Sequence, residues 1–247
     1  MDSVAIVTGG SRGIGRATSL ALAKRGYKVV VGYASNKAAA DDVVGRIEAS
    51  NGKAIAVKCD VGVEADILDL FKEADALGKL GALVNNAGVV DATARVDEMS
   101  AERLARMMNI NIVGSILCAR EAVKRMSSKH GGAGGVIINL SSVAATLGSP
   151  AQYVDYAASK GAIDTFTVGL AREVSTEGIR VAGIRPGLID TEIHASGGEP
   201  DRAHRLANTV PMKRVGTADE IANAVVWLVS DEASYVTGAI IDVSGGR

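Results

Sequence analysis

The chain has 247 residues, 47% of them hydrophobic, and its 27 Lys plus Arg face 28 Asp plus Glu for a formal charge of -1. That length suits one globular domain or two very small ones, and a pI near 6.3 supplies no bulk field toward nucleic acid or anionic lipid. No apolar run approaches the roughly 18 residues of a membrane helix; the longest, Ile221 to Val229, contains Asn223.

Short β-branched runs are expected to be strands at Val4 to Thr8, Lys28 to Tyr33, Ala54 to Cys59, Ala82 to Asn85, Val136 to Leu140, Arg180 to Arg185 and Ala239 to Val243. Between them, Ile14 to Arg25, Ala38 to Ala49, Glu64 to Leu77, Ala101 to Met126, Val154 to Ser175 and Ala218 to Ser230 carry apolar residues at helical spacing. Seven strands alternating with helices predict one α/β domain over residues 1–247, a Rossmann-like, doubly wound parallel sheet with helices on both faces. Ligands in such sheets bind outside the carboxyl ends of the strands, so chemistry is expected in the loops after them. Segment 192–214 is polar and holds Pro200 and Pro211. It is read as a substrate lid, the alternative being a surface excursion.

The amino terminus enters Val4-Ala5-Ile6-Val7 with no basic leader, which reads as cytoplasmic. Cys59 and Cys118 sit beside apolar residues, as buried reduced thiols do. The three histidines show no metal-ligand spacing, and no metal is expected.

After the first strand, Thr8-Gly9-Gly10-Ser11-Arg12-Gly13-Ile14-Gly15 opens a helix. Glycines allow positive φ and close backbone approach, and a helix N-terminus directs free N–H groups at an anion, so a pyrophosphate is the expected occupant. The same residues also match the G-x-S-x-G elbow of serine hydrolases. In those enzymes several strands precede the nucleophile, whereas one precedes Ser11. NAD-preferring sites carry an acid after the second strand. Here Gly32-Tyr33-Ala34-Ser35-Asn36-Lys37 has none until Asp41, so Arg12, with Ser35, Asn36 and Lys37, is expected to hold a 2′-phosphate, favouring NADP(H) over NAD(H).

Further along lie Asn85-Asn86-Ala87-Gly88 and Ser141-Ser142, each directly after a strand, and Tyr156-Ala157-Ala158-Ser159-Lys160 within a helix, where i, i+4 spacing puts Tyr156 and Lys160 on one face. With these pieces the whole chain resembles the short-chain dehydrogenase/reductase family in its shorter branch. Thr8-Gly9-x-x-x-Gly13-x-Gly15, Asp60-Val61, Asn111, Ser142, Tyr156-x-x-x-Lys160, Pro186-Gly187 with Thr191, and Thr237-Gly238 to Gly246 all match in order. The separation of Ser142 from Tyr156 is one residue longer than is usual.

The resemblance implies a cofactor site of Gly9, Ser11, Arg12, Gly13, Ile14 and Gly15, with Tyr33, Ser35 and Asn36 near the ribose. It places Asp60 and Val61 on the adenine, lets Asn86, Ala87 and Gly88 line the channel, and puts Pro186, Gly187, Ile189 and Thr191 around the nicotinamide. Tyr156 would be the proton donor, Ser142 would polarise the carbonyl, and Asn111 would support a water relay to Lys160. Lys160 is expected to lower the phenol: an ammonium about 6 Å away at a dielectric near 20 yields about 2.8 kcal/mol, close to two pKa units.

The expected activity is NADP(H)-dependent interconversion of a small-molecule carbonyl and a secondary alcohol. Within the class, 3-oxoacyl-carrier-protein reductases and sugar dehydrogenases are both similar; outside it, the competing reading is a non-catalytic NADPH-binding redox sensor. Lys124, Arg125, Lys129 and Arg172 would meet an acidic carrier protein or form a solvated face. The family further implies a homotetramer.

Overall fold

Val4 to Val7 and Val29 to Val31 are all fully buried, and alternate residues of these strands enter different cores. Ala5, Val7, Val29 and Val31 face one side, with Leu22, Val43 and Val225. Val4, Ile6 and Val30 face the other, with Leu70, Phe71 and Cys118. Two-sided burial is why these strands read as continuous apolar runs.

The computed structural model describes residues 3–193, 197–199 and 201–247. β1 (Ser3–Val7), β2 (Lys28–Tyr33), β3 (Ala54–Lys58), β4 (Lys79–Asn85), β5 (Gly135–Leu140), β6 (Ile179–Pro186) and β7 (Ile240–Val243) form one sheet in the order β3-β2-β1-β4-β5-β6-β7. All pairings are parallel. The helices are α1 (Gly13–Lys24), α2 (Lys37–Glu48), α3 (Glu64–Leu77), α4 (Ala101–Met108), α5 (Gly114–Met126), α6 (Ala144–Leu147), α7 (Val154–Val174) and α8 (Ala218–Val229). Residues of α1, α2 and α8 pack in the first core, those of α3, α5 and α7 in the second.

Local chemistry sets several boundaries. Asn36 caps α2 by accepting the Ala39 N–H at 3.0 Å. Thr217 and Glu220 form a reciprocal capping box on α8, and Arg214 beside Glu220 holds that carboxyl down to about 2. The helix expected from Ala101 to Met126 is interrupted by a π-turn at Asn109–Val113. Such an insertion is confined to a single turn, and spacing averaged over the whole segment does not locate it. The fourth strand starts at Lys79, three residues before the expected Ala82, because Lys79 and Leu80 pair with Ser3 and Val4.

Among its described residues, segment 192–214 has helical turns at Arg202–Arg205 and Ala207–Thr209, with His194 and Pro200 outside the described residues. No helix among the described residues is long and apolar enough to cross a membrane.

Candidate active site

The chain leaves β1 toward β2 on one side while β4 lies on the other, so the loops after β1 and β4 diverge and leave a crevice between them. The glycine turn forms one wall. Gly9 and Gly13 have φ of +63° and +51°, and a Cβ on Gly15 would lie 2.1 Å from the Gly9 carbonyl oxygen. Only glycine fits there. Arg12 precedes α1 in extended conformation and its side chain makes no cap, so the cap residue does not satisfy the first-turn N–H groups. That cradle fits a dinucleotide pyrophosphate. Ser11 is buried, Arg12 is exposed and Ile14 lines the cleft.

The two loops are stitched together. Thr8 Oγ1 accepts the N–H groups of Asn86 and Ala87, each at 3.0 Å, while Asn86 Nδ2 donates to the carbonyls of Thr8 at 2.9 Å and Gly9 at 3.0 Å. The Asn86 amide thereby holds the turn in shape as well as lining the cleft.

The residues expected near the ribose are less free than their sequence implies. The Tyr33 ring is packed in the first core, Asn36 Oδ1 is used as the α2 cap, and Lys37 pairs with Asp41 at 2.7 Å. Ser35, like Arg12, is exposed. At the end of β3, Asp60 Oδ1 accepts the Gly62 N–H at 2.9 Å and Val61 is buried against Gly114, where a Cβ would come within 2.5 Å of the Val61 carbonyl.

The π-turn carries Asn111, whose side chain is buried. Its Oδ1 accepts the Val89 N–H at 2.8 Å; its Nδ2 faces the Val89 carbonyl and Ser159 Oγ, both at 3.0 Å. The amide therefore clamps the loop after β4. A Cβ on Gly88 would lie 3.4 Å from Asn111 Oδ1 and 3.6 Å from Lys160 Nζ, so both groups converge on this glycine. Arg103 supports the same loop, donating to the Ala92 carbonyl at 2.6 Å and to buried Asp155 at 2.8 Å.

Tyr156 and Lys160 lie one turn apart on α7. Lys160 Nζ donates to the Leu140 carbonyl at 2.7 Å and sits 5.7 Å from the centroid of the Tyr156 ring. Ser141 Oγ donates to the Lys160 carbonyl at 3.1 Å, while Ser142 lines the cleft with Tyr156 and accepts the Ala144 N–H at 3.1 Å. Of the adjacent serines, the second faces the phenol.

Electrostatics depart from the expectation. Burial pushes the Tyr156 phenol up from its ordinary value, opposed by the Ser142 hydrogen bond and the Arg202 charge, rather than down through Lys160. Burial also lowers Lys160 to about 8, with Asp164 acting in the opposite sense. Desolvation penalises charge on both groups, and at this site it is the largest effect on each.

The cleft, about 1070 Å³ of open space, brings Asn86, Gly88, Ser142, Tyr156 and Lys160 together with Ile14. Its far wall is the loop after β6. There Pro186, Gly187, Ile189 and Thr191 line it, Thr191 meets Gly13, and a Cβ on Gly187 would lie 2.6 Å from Ser244 Cα. Tyr153, Arg202 and Arg247 also border the cleft. Sequence reading missed Tyr153 and Arg247 and covered Arg202 only as part of the polar segment 192–214, since no local pattern links positions about 50 and 95 residues apart. The extra residue between Ser142 and Tyr156 falls in a loop where Gly148, Ser149 and Ala151 take φ of +72°, +46° and +56°.

Known proteins resemble the chain throughout. A family model described as "Enoyl-(Acyl carrier protein) reductase" matches residues 9–247. The chain is 54% identical to the uncharacterized oxidoreductase YgfF of Escherichia coli K12, over 99% of this chain and 100% of that protein. It is 39% identical to glucose 1-dehydrogenase 2 of Bacillus subtilis, over 98% of this chain and 93% of the relative. A 3-oxoacyl-[acyl-carrier-protein] reductase of Synechocystis is 38% identical, over 98% and 96%. Among solved structures, a short chain dehydrogenase of Burkholderia cenocepacia J2315 in complex with NADP superposes with a TM-score of 0.91 at 32% identity, covering 100% of this chain and 98% of the other. With these matches spanning the glycine turn, Ser142 and the Tyr156–Lys160 helix, the chain belongs to the short-chain dehydrogenase/reductase family and is an oxidoreductase of CH–OH and C=O groups.

Proposed function

We propose that the chain reduces a carbonyl to a secondary alcohol, and runs the reverse, with NADP(H), and that Tyr156 handles the proton. One observation carries this reading: Ser142, Tyr156 and Lys160 share a cleft whose other wall is the uncapped start of α1. The glycine cradle fits a pyrophosphate, and Asn86, Gly88, Pro186, Gly187, Ile189 and Thr191 would border the nicotinamide. When bound, the nicotinamide supplies or accepts the hydride.

The remaining work belongs to the chain. Tyr156 Oη donates a proton to the substrate oxygen in reduction and recovers it in oxidation. Ser142, lining the same cleft as the phenol, hydrogen-bonds the same oxygen. Lys160, held by Leu140, places its ammonium where a phenolate would develop. Asn111 is a positioning residue, since its amide binds Val89 and Ser159.

Preference for NADP(H) is supported by the absence of an acid at the end of β2, by the pairing of Asp41 with Lys37, and by exposed Arg12 beside the turn. Its guanidinium would hold a 2′-phosphate with Ser35. A homotetramer is supported by family membership, by exposed Val113 and Ile116 at α5, and by Gly161 and Gly169 of α7, where an added Cβ would meet nothing within 4 Å. A lid role for 192–214 is supported by Ile193, Gly197 and Arg202 at the cleft. A carrier-protein surface gains less support, because Lys124 pairs with Glu121 and Arg125 with Asp75, each at 2.8 Å.

The test combines the chain with NADPH or NADH and a panel of ketones, aldoses and 3-oxoacyl thioesters. Carbonyl-dependent NADPH oxidation is expected, with Tyr156→Phe lowering kcat about 10²- to 10⁴-fold and leaving NADPH binding intact. Arg12→Ala should weaken NADPH but not NADH, and light scattering should give four times the protomer mass. NADPH binding without turnover across the panel would support the sensor instead.

A further inference from the structure

The described residues lining the cleft include three cations, Lys160, Arg202 and Arg247, and no Asp or Glu. Nearby acids are engaged elsewhere. Glu199 pairs with Arg205 and accepts from Thr93 Oγ1 at 2.9 Å, while Asp190 lies 3.5 Å from His204. Arg202 is held in place rather than neutralised. Its Nη2 donates to Gln152 Oε1 at 2.8 Å, and its guanidinium carbon lies 5.3 Å from the centroid of Tyr153.

Tyr153 is itself buried, with its hydroxyl bonded to Thr93 at 3.1 Å and to Glu199 at 3.3 Å. The stacking platform is thus anchored. A guanidinium has five N–H donors in a planar fork that suits a carboxylate or phosphate. Apart from the bond to Gln152, none of those of Arg202 meets an acceptor among the described residues.

Arg202 and Arg247 both line the cleft that holds Tyr156, and burial, followed by the Arg202 charge, lowers the Arg247 guanidinium. Two like charges facing one cavity repel, and an anion between them would relieve that repulsion. The pyrophosphate cradle is on another wall, at the turn that holds Gly9, Gly13 and Gly15. Tyr153, under Arg202, directly precedes α7 and lies three residues before Tyr156, and all three line the same cleft.

We propose that the substrate carries an anionic group, carboxylate or phosphate, close to its reacting carbonyl, and that Arg202, seconded by Arg247, binds that group. The proposal deepens the oxidoreductase reading and rests on it for turnover, but not for anion binding.

The experiment measures binding of paired probes to the full chain with NADP⁺ present, so that oxo compounds bind without being reduced. The pairs are acetoacetate against its methyl ester and dihydroxyacetone phosphate against dihydroxyacetone. At least one anion should bind about 10- to 100-fold more tightly than its neutral partner, the charge-assisted range for such a pair. Which pair shows the gap assigns carboxylate or phosphate. Arg202→Met should remove the gap without changing the affinity for NADP⁺, and Arg202→Lys should restore part of it.

Equal binding of charged and neutral partners in both pairs would overturn the proposal. So would an Arg202→Met chain that keeps the gap or that loses NADP⁺ in proportion. Steady-state rates with NADPH on the same compounds separate the two readings. Anion-selective binding with no turnover of any carbonyl supports the anion site and counts against the reductase, whereas turnover without selectivity does the reverse.

Discussion

Lys160 Nζ donates to the Leu140 carbonyl at 2.7 Å, tying the middle of α7 to the end of β5. This bond places the amine beside Tyr156 but takes it out of water, and desolvation lowers Lys160 to about 8 from its ordinary 10.5. The folded chain therefore sheds this proton before the unfolded chain does, and between about pH 8 and 10.5 stability rises with pH. Below pH 8 the cost is at its full value, about 3 kcal/mol.

Lys160→Met removes that cost and also the bond to Leu140, a loss of about 1 kcal/mol. The variant should be inactive yet about 1–2 kcal/mol more stable than wild type at pH 7. Urea unfolding at pH 7 and pH 9.5 checks this: the advantage should shrink at the higher pH. Parallel curves would show that Lys160 titrates alike in both states.

Gly15→Ala should destabilise severely, by more than about 3 kcal/mol, and abolish cofactor binding. Its Cβ would collide with the Gly9 carbonyl at 2.1 Å and Asn86 Nδ2 at 2.6 Å, neither of which can retreat without opening the turn. Gly45, within α2, has nothing within 4 Å of its Cβ position, so Gly45→Ala should add about 0.5–1 kcal/mol. Denaturant midpoints moving in opposite directions are the expected result.

Thr8→Val keeps the volume of the side chain and deletes one acceptor serving two N–H groups, those of Asn86 and Ala87. A cost of about 2 kcal/mol is expected. The loops after β1 and β4 should also loosen, read as faster amide exchange at Asn86 and Ala87 and a raised Kd for NADPH. An unchanged Kd would mean that the crevice keeps its shape without this stitch.

Ala151 holds a φ of +56°, a conformation that strains any residue with a Cβ. Ala151→Gly releases the strain but adds freedom to the unfolded chain, for a net gain of about 0.5–1 kcal/mol. Thermal unfolding at fixed pH measures it. A lower Tm would show that the loop between Ser142 and Tyr156 is held open by something other than strain at this residue.

What the sequence determined by itself was local and periodic. Strands buried on two faces need unbroken Val and Ile, as at Val4 to Val7, and a helix aligns Tyr156 with Lys160 whatever surrounds it. The glycine turn was equally legible, because positive φ at Gly9 and Gly13 and the lack of space at Gly15 are demands that one residue type meets. Tertiary structure alone decided the π-turn under Asn111, the burial that lowers Lys160, and the stacking of Arg202 on Tyr153. Each of these depends on groups brought together from distant parts of the chain. Desolvation and charge sum over spatial neighbours, and sequence order does not encode which neighbours those are.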